Sequence, residues 1–137
     1  MEYAFWNTIH DGCIEAISGT VPGDITLKVG IEYLCKQLST TAPALNIVLR
    51  KCSLFSYIPN GESALFNLRD IAAHDVEVLS ANAQETHVNV ICAGGALQVA
   101  YETVEIRLVE GTLISQSILE DAARRYWSEW SQGMHRD

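Results

Sequence analysis

Apolar and polar residues alternate along the stretch 24–32 of the chain. Its apolar side chains would share one face of an extended segment, and they are Ile25, Leu27, Val29 and Ile31. A period of two is typical of a half-buried β-strand. A second apolar segment, 12–19, precedes it, and Pro22-Gly23 between them favours a type II turn. The pattern therefore predicts a β-hairpin over residues 12–32.

Two longer β-rich runs each contain a change of phase. In residues 45–58, Leu45, Ile47 and Leu49 share one face, whereas Cys52 and Leu54 fall on the opposite parity. In residues 96–110 the same change occurs near Glu102-Thr103. A phase change inside a strand indicates a bulge or a bend, so we expect one in each run. The stretches "VEVLSA" and "THVNVICA" predict two shorter strands between them, with Gly94-Gly95 as a turn.

The C-terminal stretch "SQSILEDAARRYWSEW" has a different period. Ser117 and Glu120 have the spacing of a capping box, in which each side chain pairs with a free amide of the first helical turn. Apolar residues then recur at helical spacing as far as Trp130. The pattern predicts a helix over residues 118–131, with its aromatic stripe packed on the sheet.

Two further segments fit more than one local structure. The segment that begins at Tyr33 fits a strand extension or one helical turn, and residues 64–73 fit a strand or a short helix. The sequence shows no internal repeat, low-complexity run or linker, so we predict one domain over residues 1–137. The predicted fold class is α+β (mostly β). About six to eight antiparallel strands would form a curved sheet or sandwich, with one C-terminal α-helix packed on it.

Composition narrows the choice of partners. The chain has 137 residues, 48% of them hydrophobic, and a formal net charge of −8. Such an acidic surface repels phosphate and anionic lipid, so we expect no nucleic-acid and no membrane partner. The charge suits a basic protein partner, and it also serves solubility alone. No apolar run is long enough to predict a transmembrane helix.

The cysteines indicate a reducing compartment. No two of them form a C-x-x-C motif or match the spacing of a zinc site; they are Cys13, Cys35, Cys52 and Cys92. The first residues also lack the apolar core of a secretory signal. We therefore expect reduced thiols in a cytoplasmic protein.

Two histidine–aspartate pairs, His10-Asp11 and His74-Asp75, are the candidate chemical motif. Imidazole and carboxylate can hold a metal that activates water, which would make the protein a metal-dependent hydrolase. HD phosphohydrolases, however, carry this dipeptide on helices, whereas both pairs here open predicted strands. The alternative is that Asp11 and Asp75 accept nearby backbone amides as turn residues. The remaining histidines, His87 and His135, complete no ligand set, and we expect no metal and no cofactor.

Other catalytic motifs are missing from the sequence. It contains no G-x-S-x-G, G-x-G-x-x-G or P-loop pattern, and the contexts of its cysteines suggest no base beside a thiol. The sequence therefore favours a non-catalytic protein.

Aromatic residues near the two chain ends indicate a binding surface. Tryptophan is enriched in protein interfaces, although a helical Trp stripe also serves core packing. Our candidate binding residues are Trp6, His10, Asp11, Trp127 and Trp130.

The N-terminal 20 residues carry a resemblance. An aromatic residue, an apolar residue and a His-Asp step lead into the first strand; here they are Trp6, Ile9, His10 and Asp11. The pattern resembles the start of small bacterial immunity proteins from polymorphic-toxin systems and of related uncharacterised families. The resemblance implies a β-rich domain that neutralises a toxin by binding it, without catalysis. The acidic charge would suit a basic toxin such as a nuclease.

Two alternatives remain open from the sequence. One is a small-molecule-binding or metal-dependent hydrolytic β-domain that uses His10, Asp11 and His74. The other is a structural homodimer joined through the edge of a sheet.

Overall fold

The computed structural model describes residues 1–38 and 40–134. Within them the chain forms nine strands and four helices. The strands are β1 (Cys13–Gly19), β2 (Gly23–Gly30), β3 (Ala44–Cys52), β4 (Leu54–Pro59), β5 (Glu77–Ala83), β6 (Val88–Ala93), β7 (Gly95–Ala100), β8 (Thr103–Leu108) and β9 (Leu113–Ile114). The helices are α1 (Ala4–Thr8), α2 (Glu32–Gln37), α3 (Leu68–Ala72) and α4 (Gln116–Met134). The β1–β2 hairpin is confirmed, and both ambiguous segments contain short helices.

Both predicted phase changes are bends in one long ladder. Strand β3 pairs with β8 and β4 pairs with β7, always antiparallel. The amide of Ser53 donates to the Ala100 carbonyl (2.8 Å), and the amide of Glu102 donates to the Arg50 carbonyl (2.9 Å). These two bonds carry the ladder across the bend, where Lys51 adopts a positive φ of 51°. Two continuous segments therefore pair along most of their length.

The strand order shows that the sheet curls. Neighbours follow the order β4-β7-β6-β5-β1-β2-β3-β8-β9, and every pairing is antiparallel. Only Ser53 separates β3 from β4, although the two stand far apart in this order. The sheet must therefore bend until these positions meet, and its apolar face closes around the core. The α+β, mostly β fold class is confirmed, with nine strands because each bend divides a run in two.

The chain contains the same topological unit twice. A short helix, a His-Asp step, two hairpin strands and a bent long strand occur first as α1-β1-β2-β3/β4 and again as α3-β5-β6-β7/β8. Helix α1 packs on β5 of the other unit, and α3 packs on β1. The short helix of each unit therefore contacts the first strand of the other unit, as an approximate twofold axis requires.

The hydrogen bonds between β1 and β5 locate this axis. Cys13 faces Glu77 across the two strands. The amide of Ile14 donates to the Val76 carbonyl, and the amide of Val78 donates to the Gly12 carbonyl, both at 2.8 Å. A bulge follows in each strand, at residue 15 in β1 and at residue 79 in β5. No repeat was expected from the sequence, because pairing and bulges recur here while the side chains differ.

Helix α4 begins earlier than predicted. The hydroxyl of Ser115 accepts the Ile118 amide (3.1 Å), so Ser115 is the N-cap and the expected Ser117–Glu120 capping box is not formed. The helix packs against α2 and α1. Its buried residues are Leu119, Ala122 and Ala123. Its aromatic residues face α2 and solvent, so the stripe does not lie on the sheet as expected.

An ion-pair network braces the bend. Arg50 on β3 binds the Glu105 carboxylate (2.7 Å) and the Asp24 carboxylate (2.8 Å), and Arg107 binds the other oxygen of Glu105 (2.6 Å). Hydrogen bonds from Arg50 and Arg107 lower the pKa of Glu105 from 4.5 to about 2. A carboxylate whose pKa falls on folding stabilises the protein above its ordinary pKa, and this contribution is lost as the pH falls toward the folded value.

We expect Glu105→Gln to lower stability at neutral pH, and the difference from the natural protein to shrink between about pH 4.5 and pH 2. Urea unfolding followed by circular dichroism at a series of pH values measures it. Glu85→Gln, in the turn between β5 and β6, is the control for loss of one negative charge. A difference in stability between variant and natural protein that stays constant from neutral pH to pH 2 would contradict a lowered pKa of Glu105.

Candidate functional site

The two His-Asp pairs turn the chain from a helix into a strand. Asp11 has φ 71° and Asp75 has φ 49°, which is the left-handed region that aspartate tolerates better than most residues. Among the described residues neither carboxylate accepts a backbone amide, so the expected turn bonds are not present. The pairs are equivalent in the twofold arrangement, but their histidines have different surroundings.

The His10 ring is held by a hydrogen bond at its Nδ1. Its Nδ1 lies 2.7 Å from the Leu79 carbonyl, and because a carbonyl only accepts, Nδ1 carries a proton. Its Nε2 lies 3.3 Å from Oδ1 of Asp11. The hydroxyl of Tyr33 donates to the His10 carbonyl (2.6 Å). His74, in contrast, is exposed and packs against the Tyr57 ring at 5.3 Å.

Five neighbouring rings form a continuous surface, which we call the aromatic surface. They are those of His10, Tyr33, Tyr126, Trp127 and Trp130. The centroids of Tyr33 and Tyr126 are 4.3 Å apart, those of Tyr33 and Trp127 are 5.7 Å apart, and those of Trp127 and Trp130 are 5.9 Å apart. The His10 ring lies 6.4 Å from Trp127. Trp127 is 38% exposed and Trp130 is 52% exposed. A contiguous exposed aromatic patch of this kind is typical of an interaction site.

A cleft of about 560 Å³ opens beside the aromatic surface, between α2 and α4. Three carboxylates and one ammonium group line it, those of Asp11, Glu32, Glu129 and Lys36, together with the rings of Tyr33 and Tyr126. Lys36 pairs with Glu32 at 3.3 Å, and Gln37 donates to Glu129 at 3.0 Å. The carboxylates outnumber the cation, so the cleft is acidic.

Tyr33 both lines the cleft and binds the His10 backbone. Burial, with smaller contributions from Asp11 and Tyr126, raises the pKa of Tyr33 to about 12. Its hydroxyl therefore keeps its proton and its bond to the His10 carbonyl throughout the physiological range. The bond joins α2 to the segment that carries Asp11, which fixes one wall of the cleft against the other.

The elements that build this site are those that depart from the twofold arrangement. Helix α2 is inserted between β2 and β3, where the second unit has only the turn at Gly94. Helix α4 is added after the second unit and packs on α1 and α2. The curled sheet alone requires neither addition, so the site is a feature of one end of the molecule.

Four of the five predicted binding residues come together here. His10, Asp11, Trp127 and Trp130 lie on the aromatic surface or at its rim. Trp6 does not join them: it is fully buried, and its Nε1 donates to the Tyr101 hydroxyl at 3.2 Å. Tyr33 was not predicted as a site residue, because its helix could not be distinguished from a strand extension.

The described residues offer little to the hydrolytic alternative. No group of three His, Cys, Asp or Glu side chains among them is placed to hold a metal ion. His135 lies outside the described residues.

Among the helices of the described residues, none is both long and apolar enough to span a membrane.

Comparisons of the chain with protein-family models, with curated proteins and with solved structures found no match.

Proposed function

We propose that this protein is a non-catalytic binding module that captures a basic protein on the aromatic surface and thereby neutralises it, in the manner of an immunity protein. The observation that carries the proposal is the convergence of His10, Asp11, Trp127 and Trp130 on one exposed area. These residues lie at opposite ends of the sequence, and only folding unites them.

The chemistry of the area supports a protein partner. Tryptophan and tyrosine dominate the energetics of protein interfaces, because they bury a large rigid area at a small cost in conformational entropy. Trp127 and Trp130 offer such an area next to ordered polar groups of His10 and Asp11. The partner would bury both indoles and leave the carboxylates at the rim.

The charge of the chain supports a basic partner. A net charge of −8 produces a field that steers cationic proteins and raises their association rate. The carboxylates of the cleft lie next to the exposed indoles, so attraction and burial act at the same place.

The N-terminal resemblance is compatible with this function. Trp6 and Ile9 are buried anchors, whereas His10 and Asp11 reach the surface. A short pattern of this kind combines two residues that hold α1 with two that contribute to the site. A toxin of basic charge, such as a nuclease, is therefore the partner class we propose.

The proposal predicts that an adjacent gene encodes a basic toxin, and the test is a titration against that gene product. We expect one-to-one binding that weakens as ionic strength rises, together with stoichiometric loss of the partner's activity. An unrelated protein of similar size and charge is the control. Equal binding of both proteins, or no saturable binding of the neighbour, would contradict the proposal.

A further inference from the structure

We propose that the cleft between α2 and α4 holds one arginine side chain of the partner, whose guanidinium group packs against the Tyr33–Tyr126 pair and pairs with the Asp11 carboxylate. The inference rests on the proposed function, since it names the chemistry by which a basic protein would be anchored. It follows from the shape of the cleft, from its charge and from the state of its carboxylates.

The tyrosine pair supplies a stacking surface. The ring centroids of Tyr33 and Tyr126 lie 4.3 Å apart with an interplanar angle of 35°, and both residues line the cleft. The two rings therefore cover one face of each other, and a guanidinium group can stack on an outer face of the pair. A cation near the face of an aromatic ring is attracted by the ring's quadrupole, and arginine uses this contact more often than lysine. The planar guanidinium group also stacks in a way that the compact ammonium group does not.

The carboxylates supply the complementary charge. Glu32 is already paired with Lys36, and Glu129 already accepts a bond from Gln37. Among the described residues the Asp11 carboxylate contacts only the edge of the His10 ring, at 3.3 Å from Oδ1, and it is about half exposed. Asp11 is therefore the carboxylate of the cleft best able to accept an incoming donor.

The backbone that carries the Asp11 carboxylate is held in place. Its φ of 71° and the bond from its amide to the Val78 carbonyl (2.8 Å) fix the residue between α1 and β1. Preorganisation of this kind reduces the entropy that is lost on binding. Asp75 has the same conformation at the equivalent position of the second unit, without α2 or α4 beside it.

This equivalence provides a matched control. Asn tolerates the left-handed conformation, so Asp11→Asn and Asp75→Asn each remove one charge while they keep the backbone. The two variants have the same net charge, and only the first changes the cleft.

The experiment uses a peptide blocked at both ends, acetyl-Gly-Ser-X-Ser-Gly-amide, whose only charge is that of the side chain X, which is arginine, lysine or citrulline. Binding to the full chain is followed at low ionic strength by changes in its amide NMR spectrum. We expect the arginine peptide to bind about threefold more tightly than the lysine peptide. Citrulline, which keeps the shape and lacks the charge, should not saturate. Asp11→Asn should weaken arginine binding about threefold, and Asp75→Asn should leave it unchanged.

The outcomes separate the two proposals. Equal binding of the lysine and arginine peptides, or equal effects of the two variants, would overturn the arginine anchor even where the basic partner protein binds. Spectral changes that map to the surface around Asp75, and not to the cleft, would overturn it as well. If the arginine peptide shows the expected preference while the neighbouring gene product does not bind, the proposed partner is wrong and the cleft chemistry stands.

Discussion

Trp6→Ala should lower the free energy of unfolding by about 3–5 kcal/mol, the largest effect on stability that we expect from a single tryptophan. The indole is fully buried, and its ring centroid lies 4.6 Å from that of Phe5. Its removal leaves a cavity where α1 meets the core and also deprives the Tyr101 hydroxyl of a donor. Chemical denaturation, followed by far-ultraviolet circular dichroism, measures the loss.

The same measurement on the other two tryptophans is the control. Because Trp127 and Trp130 are 38% and 52% exposed, each alanine variant should cost about 1 kcal/mol or less. Equal destabilisation by all three variants would mean that the aromatic surface is part of the core and would remove the basis for a site there.

Trp127→Ala should weaken binding of the basic partner about thirtyfold or more, which corresponds to the 2 kcal/mol or more typical of an interface hot spot. Trp127 is central to the aromatic surface, since its ring contacts those of His10, Tyr33, Tyr126 and Trp130. Its loss removes contact area and also loosens the rings around it. Titration calorimetry with natural and variant protein gives the ratio of dissociation constants.

Phe66→Ala is the matched control for this loss. Phe66 is 65% exposed, more than Trp127, and lies in the loop before α3, away from α2 and α4. We expect its removal to leave partner binding within about twofold of the natural protein, as for a surface substitution outside the interface. A larger effect for Phe66 than for Trp127 would place the interface on the surface around Phe66.

The local elements of this fold could be predicted because their signals are local. Alternation marked the β1–β2 hairpin, and the change of phase marked both bends, since each depends on neighbours in sequence. Helix α1 was not predicted, because its five residues are rich in aromatics and show no helical spacing of apolar positions. The way in which the sheet curls could not be predicted, for another reason. It depends on the pairing of β3 with β8, whose hydrogen bonds join residues more than 50 positions apart.

The candidate site, too, could be predicted where its signals are local and not where it depends on tertiary contacts. The aromatic stripe of α4 was visible, but its partner Tyr33 depends on the docking of α2 against α4, which is a tertiary event. Trp6 looked equivalent to the other tryptophans because residue type alone does not reveal burial. The His-Asp pairs suggested chemistry, and their equivalence became apparent only when β1 and β5 were seen side by side.

The repeated unit makes each half of the chain depend on the other. Either half alone would leave one side of its long strand and the edge of its first strand unpaired, and unpaired edges associate. The two halves satisfy each other through the pairings that β3/β4 makes with β7/β8 and β1 makes with β5. The fold is thus an intramolecular dimer of two similar units, connected by the loop before α3, in which α2 and α4 have no equivalent.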